Sequence, residues 1–268
     1  MKGKTVIITG ATSGIGKALA LECGARGANV VMGARSAQGL EAVETLFRER
    51  GWSGITLVAD VSNEDDCLRL VEAAVDRFGQ LDVLINNAGV SMRAIFNGID
   101  LNVLRRLMDV NYWGTVYCTY YALPHLLKSK GSLVGVSSIA GYKGLPGRTG
   151  YSSSKFAMHG FLEVVRMENM KHGLHVLLAC PGFTASNIRN VALGADGSVQ
   201  GESPRDEARM MSAEEVAAHI VKAIEKRKRT LTLTANGKLT VFLNKFFPAW
   251  MDKVVYNHMA KEPGSPFN

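Results

Sequence analysis

Thr5-Val6-Ile7-Ile8-Thr9-Gly10-Ala11-Thr12-Ser13-Gly14-Ile15-Gly16 decides the fold: a β-branched run ends in a glycine-rich turn, and residues 15–26 beyond it take up helical apolar spacing. Gly10 permits the sharp turn, Gly14 lets the backbone approach a pyrophosphate, and Gly16 allows close packing of helix on strand. The helix N-terminus then offers free N–H groups and a positive dipole end to phosphates. Gly10, Thr12, Ser13, Gly14, Ile15 and Gly16 are therefore the candidate phosphate cradle. A plain tight turn would use the same glycines, but the position directly after the first strand favours the nucleotide reading.

Outward from this stretch, strand-like runs alternate with helical ones. Strands are predicted near residues 5–9, 29–32, 55–59, 83–86, 133–136, 175–179 and 231–233, and helices near 15–26, 38–50, 64–78, 101–128, 151–170 and 213–226. The alternation argues for an α/β fold, a single doubly wound, Rossmann-type parallel sheet of seven strands with helices on both faces. Ser212 with Glu215 three residues on reads as a capping box for the last of these helices. Residues 183–211, polar and glycine-rich after the sixth strand, are the candidate substrate lid.

The 268 residues, 47% hydrophobic and 21% charged, can bury a full core, so disorder is excluded. Cys23, Cys67, Cys118 and Cys180 lie far apart with no C-x-x-C pair, which supports neither a zinc ribbon nor a disulfide framework and points to a reducing, cytoplasmic setting. Met1–Lys4 leads straight into apolar strand, leaving no room for a signal peptide, and no apolar run is long enough for a membrane helix. The six histidines form no convincing metal set, and His172 and His175 read as structural. Of the net charge of +7, residues 222–268 carry nine basic side chains against three acidic ones. The basicity belongs to the tail, and it alone speaks for nucleic-acid binding.

The end of the second strand selects the dinucleotide. An acid there would bond the ribose hydroxyls and repel a 2′-phosphate, but the sequence runs Val31-Met32-Gly33-Ala34-Arg35-Ser36. Arg35 can pair with the phosphate and Ser36 can donate to it, so NADP(H) is the expected cofactor. Asp60, with Val61, follows the third strand and is a candidate for the adenine amino group, or else a helix N-terminal acid beside Ser62 and Asn63. Asn86-Asn87-Ala88-Gly89 ends the fourth strand. There the Asn amides can satisfy strand-edge backbone groups while Gly89 leaves space for the adenosine ribose, so that Asn87, Ala88 and Gly89 have either a structural role or a direct contact with the cofactor.

Tyr151 and Lys155 share one helix face, and an ammonium beside a phenol stabilises the phenolate, as acid–base work on a carbonyl or alcohol requires. Ser138, at the end of the fifth strand, can hydrogen-bond a substrate oxygen. Asn111 can hold a water leading to Lys155, or it is a helix-interior amide bonded to backbone. With the glycine loop, Asp60, Asn-Asn-Ala-Gly and Pro181-Gly182, these residues resemble the short-chain dehydrogenase/reductase family from Thr5 to about Leu233. The resemblance implies an Asn111-Ser138-Tyr151-Lys155 tetrad. In it Tyr151 is the proton donor or acceptor, Ser138 positions the carbonyl oxygen, and Lys155 binds the nicotinamide ribose and lowers the tyrosine pKa. It also implies cofactor contacts after Pro181-Gly182, where Thr184 takes the family's usual Val/Ile place and Ser186 its usual Thr place, so which hydroxyl serves the cofactor stays open.

The expected activity is interconversion of a ketone or aldehyde and an alcohol, on a lipophilic substrate of steroid-, long-chain keto- or sphingoid-like type, by a homo-oligomer, dimer or tetramer. The rivals are a non-catalytic dinucleotide sensor or scaffold and a peripheral membrane protein whose activity is incidental. In the extension 238–268, Leu239, Phe242, Leu243 and Phe246 fall at helical spacing, and Pro248 starts a new turn carrying Trp250, Val254 and Val255. Two placements compete: a basic apolar element resting on anionic membrane, or a helix folded on its own body or a dimer mate. The second is favoured, because aromatic stripes at helical spacing are more often buried.

Overall fold

The period of two along the first strand sorts its side chains between two cores. In the computed structural model, which describes residues 1–185, 188–201 and 210–267, β1 (Thr5–Thr9) sends Val6 and Ile8 into one apolar layer and Ile7 into the other. The first layer is closed by α1 (Gly14–Ala25), α2 (Ala37–Glu49) and α7 (Ala213–Glu225), through residues such as Leu19, Leu40, Val216 and Ile220. The second is closed by α3 (Glu64–Phe78), α4 (Leu101–Met108), α5 (Gly114–Ser129) and α6 (Thr149–Glu168), through Leu70, Leu107, Leu126 and Leu162.

Between these layers β1 joins β2 (Asn29–Ala34), β3 (Gly54–Val58), β4 (Val83–Asn86), β5 (Ser132–Val136), β6 (His175–Cys180) and β7 (Thr230–Thr232) in one sheet of order β3-β2-β1-β4-β5-β6-β7. Every neighbouring pair is parallel. The chain builds outward from β1 to β3 and then resumes on the other side of β1 at β4. This reversal opens a crevice beyond the carboxyl ends of β1 and β4. All seven expected strands are present, with ends moved by one or two residues. His175 is structural as expected: Nδ1 lies 2.9 Å from the Ser132 hydroxyl and Nε2 2.9 Å from the Lys228 carbonyl, fastening the three last strands at one end.

Two expectations need correction. The single helix read over 101–128 is interrupted by a π-helical turn, Asp109–Trp113, which separates α4 from α5. Buried positions stay three or four apart through it, at Val103, Leu107, Val110, Gly114 and Cys118, so the spacing alone does not mark the turn. The aromatic stripe of the extension is the second. α8 (Ala235–Phe246) and α9 (Pro248–Ala260) do fold against the body, but they bury Gly237, Met251, Val255 and Met259, while Phe242, Phe246, Phe247 and Trp250 are exposed. Thioethers and aliphatic side chains fill the narrow space beside Leu145 and Phe267, leaving the bulkier rings outside.

The capping box forms as read, with the Ser212 hydroxyl accepting from the Glu215 N–H at 3.1 Å and the Glu215 carboxylate from the Ser212 N–H at 2.9 Å. Ser212→Ala should remove about 1 kcal/mol of stability and lower the melting temperature by about 2–4 °C in a chain of this size, as read by calorimetry.

Candidate active site

The crevice is closed at its base by a contact that only glycine allows. A Cβ at Gly16 would stand 2.1 Å from the Gly10 carbonyl oxygen and 2.4 Å from the Asn87 amide nitrogen. Gly10 and Gly14 have φ of +68° and +49°, the left-handed region that side chains other than glycine's rarely enter. The Asn87 amide donates to the Thr9 carbonyl at 2.9 Å, and the Thr9 hydroxyl accepts from the backbone N–H groups of Asn87 and Ala88 at 3.0 and 2.9 Å. Asn87 thus satisfies the strand edges, the structural one of its two readings.

Over this base lies a cleft of about 510 Å³, lined by Gly10, Thr12, Ser13, Gly14, Ile15 and Gly16, by Arg35, Ser36, Asp60 and Val61, by Asn87, Ala88 and Gly89, and by Ser138, Tyr151, Lys155, Pro181, Gly182 and Thr184. Nearly every candidate residue of the sequence therefore converges on one cavity. Asn111 stands just behind it, and Ser186 lies outside the described residues. The cradle suits a dinucleotide. The N-termini of α2, α3 and α7 are capped by the Ser36, Asn63 and Ser212 side chains, whereas among the described residues Ser13 makes no side-chain cap for α1. The first N–H groups of α1, at residues lining the cleft, are left for an anion.

At the adenosine end, Ser36 spends its oxygen accepting from the Gly39 N–H at 3.1 Å, and the first turn of α2 holds no acid. Arg35 is more than half exposed, with Nη1 4.0 Å from Asp60 Oδ2. Asp60 Oδ1 accepts from the Ser62 N–H and hydroxyl at 3.0 and 2.8 Å, which makes Asp60 at least in part the helix-start acid that was its alternative reading.

At the other end, Lys155 Nζ donates to the Val136 carbonyl at 3.0 Å and sits 5.8 Å from the centre of the Tyr151 ring. Burial pushes the Lys155 ammonium down to about 8. Burial also lifts the Tyr151 phenol above its ordinary value, against the opposing pull of a hydrogen bond with Ser138 and of the positive charges of Arg148 and Arg189. Desolvation of the phenolate outweighs these opposing influences, while the Lys155 ammonium faces the ring and a carbonyl.

The Asn111 amide is bonded to backbone, as its alternative reading had it. Its Oδ1 accepts from the Val90 N–H at 2.8 Å, and its Nδ2 donates to the Val90 carbonyl and the Ser154 hydroxyl at 2.9 Å each. The π-helical turn aims this amide inward, where it clamps the segment after β4 to the helix that carries Tyr151 and Lys155. Gly182 is needed beside Thr234, whose Oγ1 would be 2.8 Å from an added Cβ, and the buried Thr184 hydroxyl donates to the Gly182 carbonyl at 3.2 Å.

Several residues had no signal in the sequence. Arg148, just before Tyr151 and lining the cleft, lies 3.4 Å from the buried Glu262 carboxylate, which also lies 3.8 Å from Arg93. His159, held near 4 by burial, binds the Ser137 hydroxyl at 2.7 Å behind Ser138. Arg148 and Glu262 are 114 positions apart, beyond the reach of any local pattern.

The chain matches the family model for short chain dehydrogenases over residues 4–194. It is 34% identical over 275 residues to 11-beta-hydroxysteroid dehydrogenase A of Arachis hypogaea, covering 98% of this chain and 78% of that protein. It is 41% identical over 188 residues to 11-beta-hydroxysteroid dehydrogenase 1A of Arabidopsis thaliana, covering 69% of this chain and 54% of that one. A short chain dehydrogenase/reductase from Burkholderia phymatum, solved in complex with NAD, superimposes with a TM-score of 0.83 at 24% identity over 93% of this chain and 95% of that one. An alcohol dehydrogenase from Thermococcus sibiricus, complexed with 5-hydroxy-NADP, gives 0.75 at 24% over 86% and 95%. These two likenesses concern the fold.

Because the folded Lys155 gives up its proton near 8 and the unfolded chain near the ordinary lysine value, stability should rise with pH between the two. Lys155→Met should melt no lower than wild type at neutral pH, with the difference shrinking as the pH climbs through about 8. Calorimetry across that range checks it, and a lower melting temperature at neutral pH would contradict it.

Proposed function

The chain belongs to the short-chain dehydrogenase family, oxidoreductases that act on a CH–OH group with a nicotinamide dinucleotide, and on that premise we propose that it reduces a lipophilic ketone or aldehyde using NADPH. The observation that carries the reading is the meeting of the glycine cradle with Ser138, Tyr151 and Lys155 in one cleft. When bound, the dinucleotide supplies the hydride. The protein's own residues do the rest. Ser138, in contact with the Tyr151 hydroxyl, orients the substrate oxygen. Tyr151 keeps its proton at neutral pH and gives it to the oxygen as negative charge builds there. Lys155 binds the ribose hydroxyls and stabilises the phenolate left behind, while Asn111 and Ser154 fix the helix that carries both.

Preference for NADP(H) is supported by Arg35 and by the acid-free first turn of α2. Asp60 does not defeat it, because one of its oxygens is occupied by Ser62 and its charge holds Arg35 nearby. Reduction as the working direction rests on that preference. A lipophilic substrate is supported by Leu145, Phe183, Val191, Leu193 and Val199 along the far side of the cleft and by the hydroxysteroid names of the relatives. Residues 183–211 serve as the lid, with Leu193 bridged to Met92 and Thr184 to Met211 anchoring its described parts. A homo-oligomer is supported by Phe156, Val164 and Met167, exposed along one stripe of α6.

NADPH should bind about 10–100-fold tighter than NADH, the worth of a charge-assisted contact of about 1.5–3 kcal/mol. Arg35→Asp should abolish or reverse that ratio in fluorescence titrations, and equal affinities in the wild type would remove the assignment. Tyr151→Phe should lower kcat by about 10²–10⁴-fold in NADPH-oxidation assays against a carbonyl panel, with NADPH affinity unchanged. A variant that keeps most of its turnover would exclude Tyr151 as the acid.

A further inference from the structure

α8 and α9 carry two apolar faces, and the body covers only one. At 3.6 residues per turn, Leu243, Asn244 and Gly237 share the inward side of α8, where Asn244 donates to the Tyr142 carbonyl at 3.2 Å and Gly237 closes on Ile139. Met251, Val255 and Met259 do the same for α9. Lys245, Lys238, Phe242, Phe246 and Leu239 fall, in that angular order, within an arc of about 120° on the opposite side of α8. Leu239, Phe242, Phe246, Phe247 and Trp250 are each more than half exposed, and the rings of Phe242 and Phe246 lie 5.2 Å apart.

Charge is sorted the same way. Residues 226–251 hold six basic side chains and no acidic one. The three acids of the chain beyond residue 221 turn back to cations of the body: Glu225 to Arg26 and the N-terminal ammonium, Asp252 to Lys143, and Glu262 to Arg93 and Arg148. Lys238 and Lys245 are left exposed at the border of the aromatic arc.

We propose that this face of α8 and α9 docks the protein on an anionic phospholipid bilayer, with the rings at the boundary of headgroup and acyl chain and the lysines among the headgroups. An apolar face edged by one sign of charge fits a surface of the other sign. A second copy fits it less well, because a two-fold contact sets identical patches together and this one offers its lysines no carboxylate. The contact is peripheral, since among the described residues no helix is long and apolar enough to cross a membrane. It also lies beside the cleft. Leu145 lines the cavity and packs against the inner side of the helix pair, and the ring of Phe183, another lining residue, is 6.2 Å from that of His258 on α9.

Flotation of the full chain with phosphatidylcholine vesicles, with and without phosphatidylserine and over a range of salt, tests the proposal independently of the chemistry in the cleft. Binding should favour the anionic vesicles by about tenfold or more and weaken as salt rises. Lys238→Gln with Lys245→Gln should weaken it by about 25-fold, fivefold for each lysine, the equivalent of about 1 kcal/mol apiece. Phe242→Ser with Trp250→Ser should abolish it while melting temperature and NADPH affinity hold. If the aromatic pair unfolds the chain, the lysine pair, whose side chains are exposed, decides. Equal binding to neutral vesicles, no binding by the folded wild type at low salt, or undiminished binding by the lysine pair would each overturn the proposal. So would a wild-type dimer that the aromatic pair turns into monomers, because a second copy would then be the occupant.

Discussion

The approach of Gly16 to the Gly10 carbonyl and the Asn87 amide is the contact on which the site depends. It lets the first turn of α1 sit directly over the ends of β1 and β4, and any side chain at position 16 would force helix and strand apart. Thr9 and Asn87 complete the joint from the other side with four strand-end hydrogen bonds, so the phosphate cradle and the segment after β4 move as one piece. A cradle held this rigidly presents its N–H groups without further ordering when an anion arrives, which lowers the entropy lost on binding.

The same segment passes the constraint on to the chemistry. Val90, two residues beyond Ala88, is clamped by the Asn111 amide, which also takes hold of Ser154 in the helix that carries Tyr151 and Lys155. The glycine cradle and the Tyr151–Lys155 pair are thus joined through one buried side chain on a π-helical turn, a local irregularity of the kind that is frequent at functional sites. Burial of the lysine is unfavourable for the fold, as its lowered pKa records. A buried group with such a shift, lining a cleft, marks a candidate functional site.

Beyond the far end of the cleft, the C-terminal helices and the residues after them back the residues that line it, Leu145 and Phe183 among them. Glu262 gathers Arg93 and Arg148 into a buried cluster next to the start of α6, and Leu145 packs between the cleft and α9. Such a cluster costs desolvation and returns geometry. It places Arg148 where its charge reaches the Tyr151 phenol, so the C-terminal segment helps to set the electrostatics of a site built by the first two-thirds of the chain.

The fold and the residues that gather at the candidate site were legible in the sequence, because both rest on short-range patterns. Alternating periods of two and 3.6 separate seven strands from their helices, glycines at 10, 14 and 16 mark a turn where backbones must approach closely, and Tyr151 and Lys155 are neighbours by helix geometry alone. Three things waited for the tertiary structure. The amide of Asn111 turned out to be a clamp, because its partners Val90 and Ser154 come from other elements. The balance on Tyr151 turned on how much water its surroundings exclude, which no spacing records. The side of α8 that faces outward was chosen by the shape of the space beside Leu145, since helical spacing identifies an apolar stripe but not whether a matching surface exists to cover it.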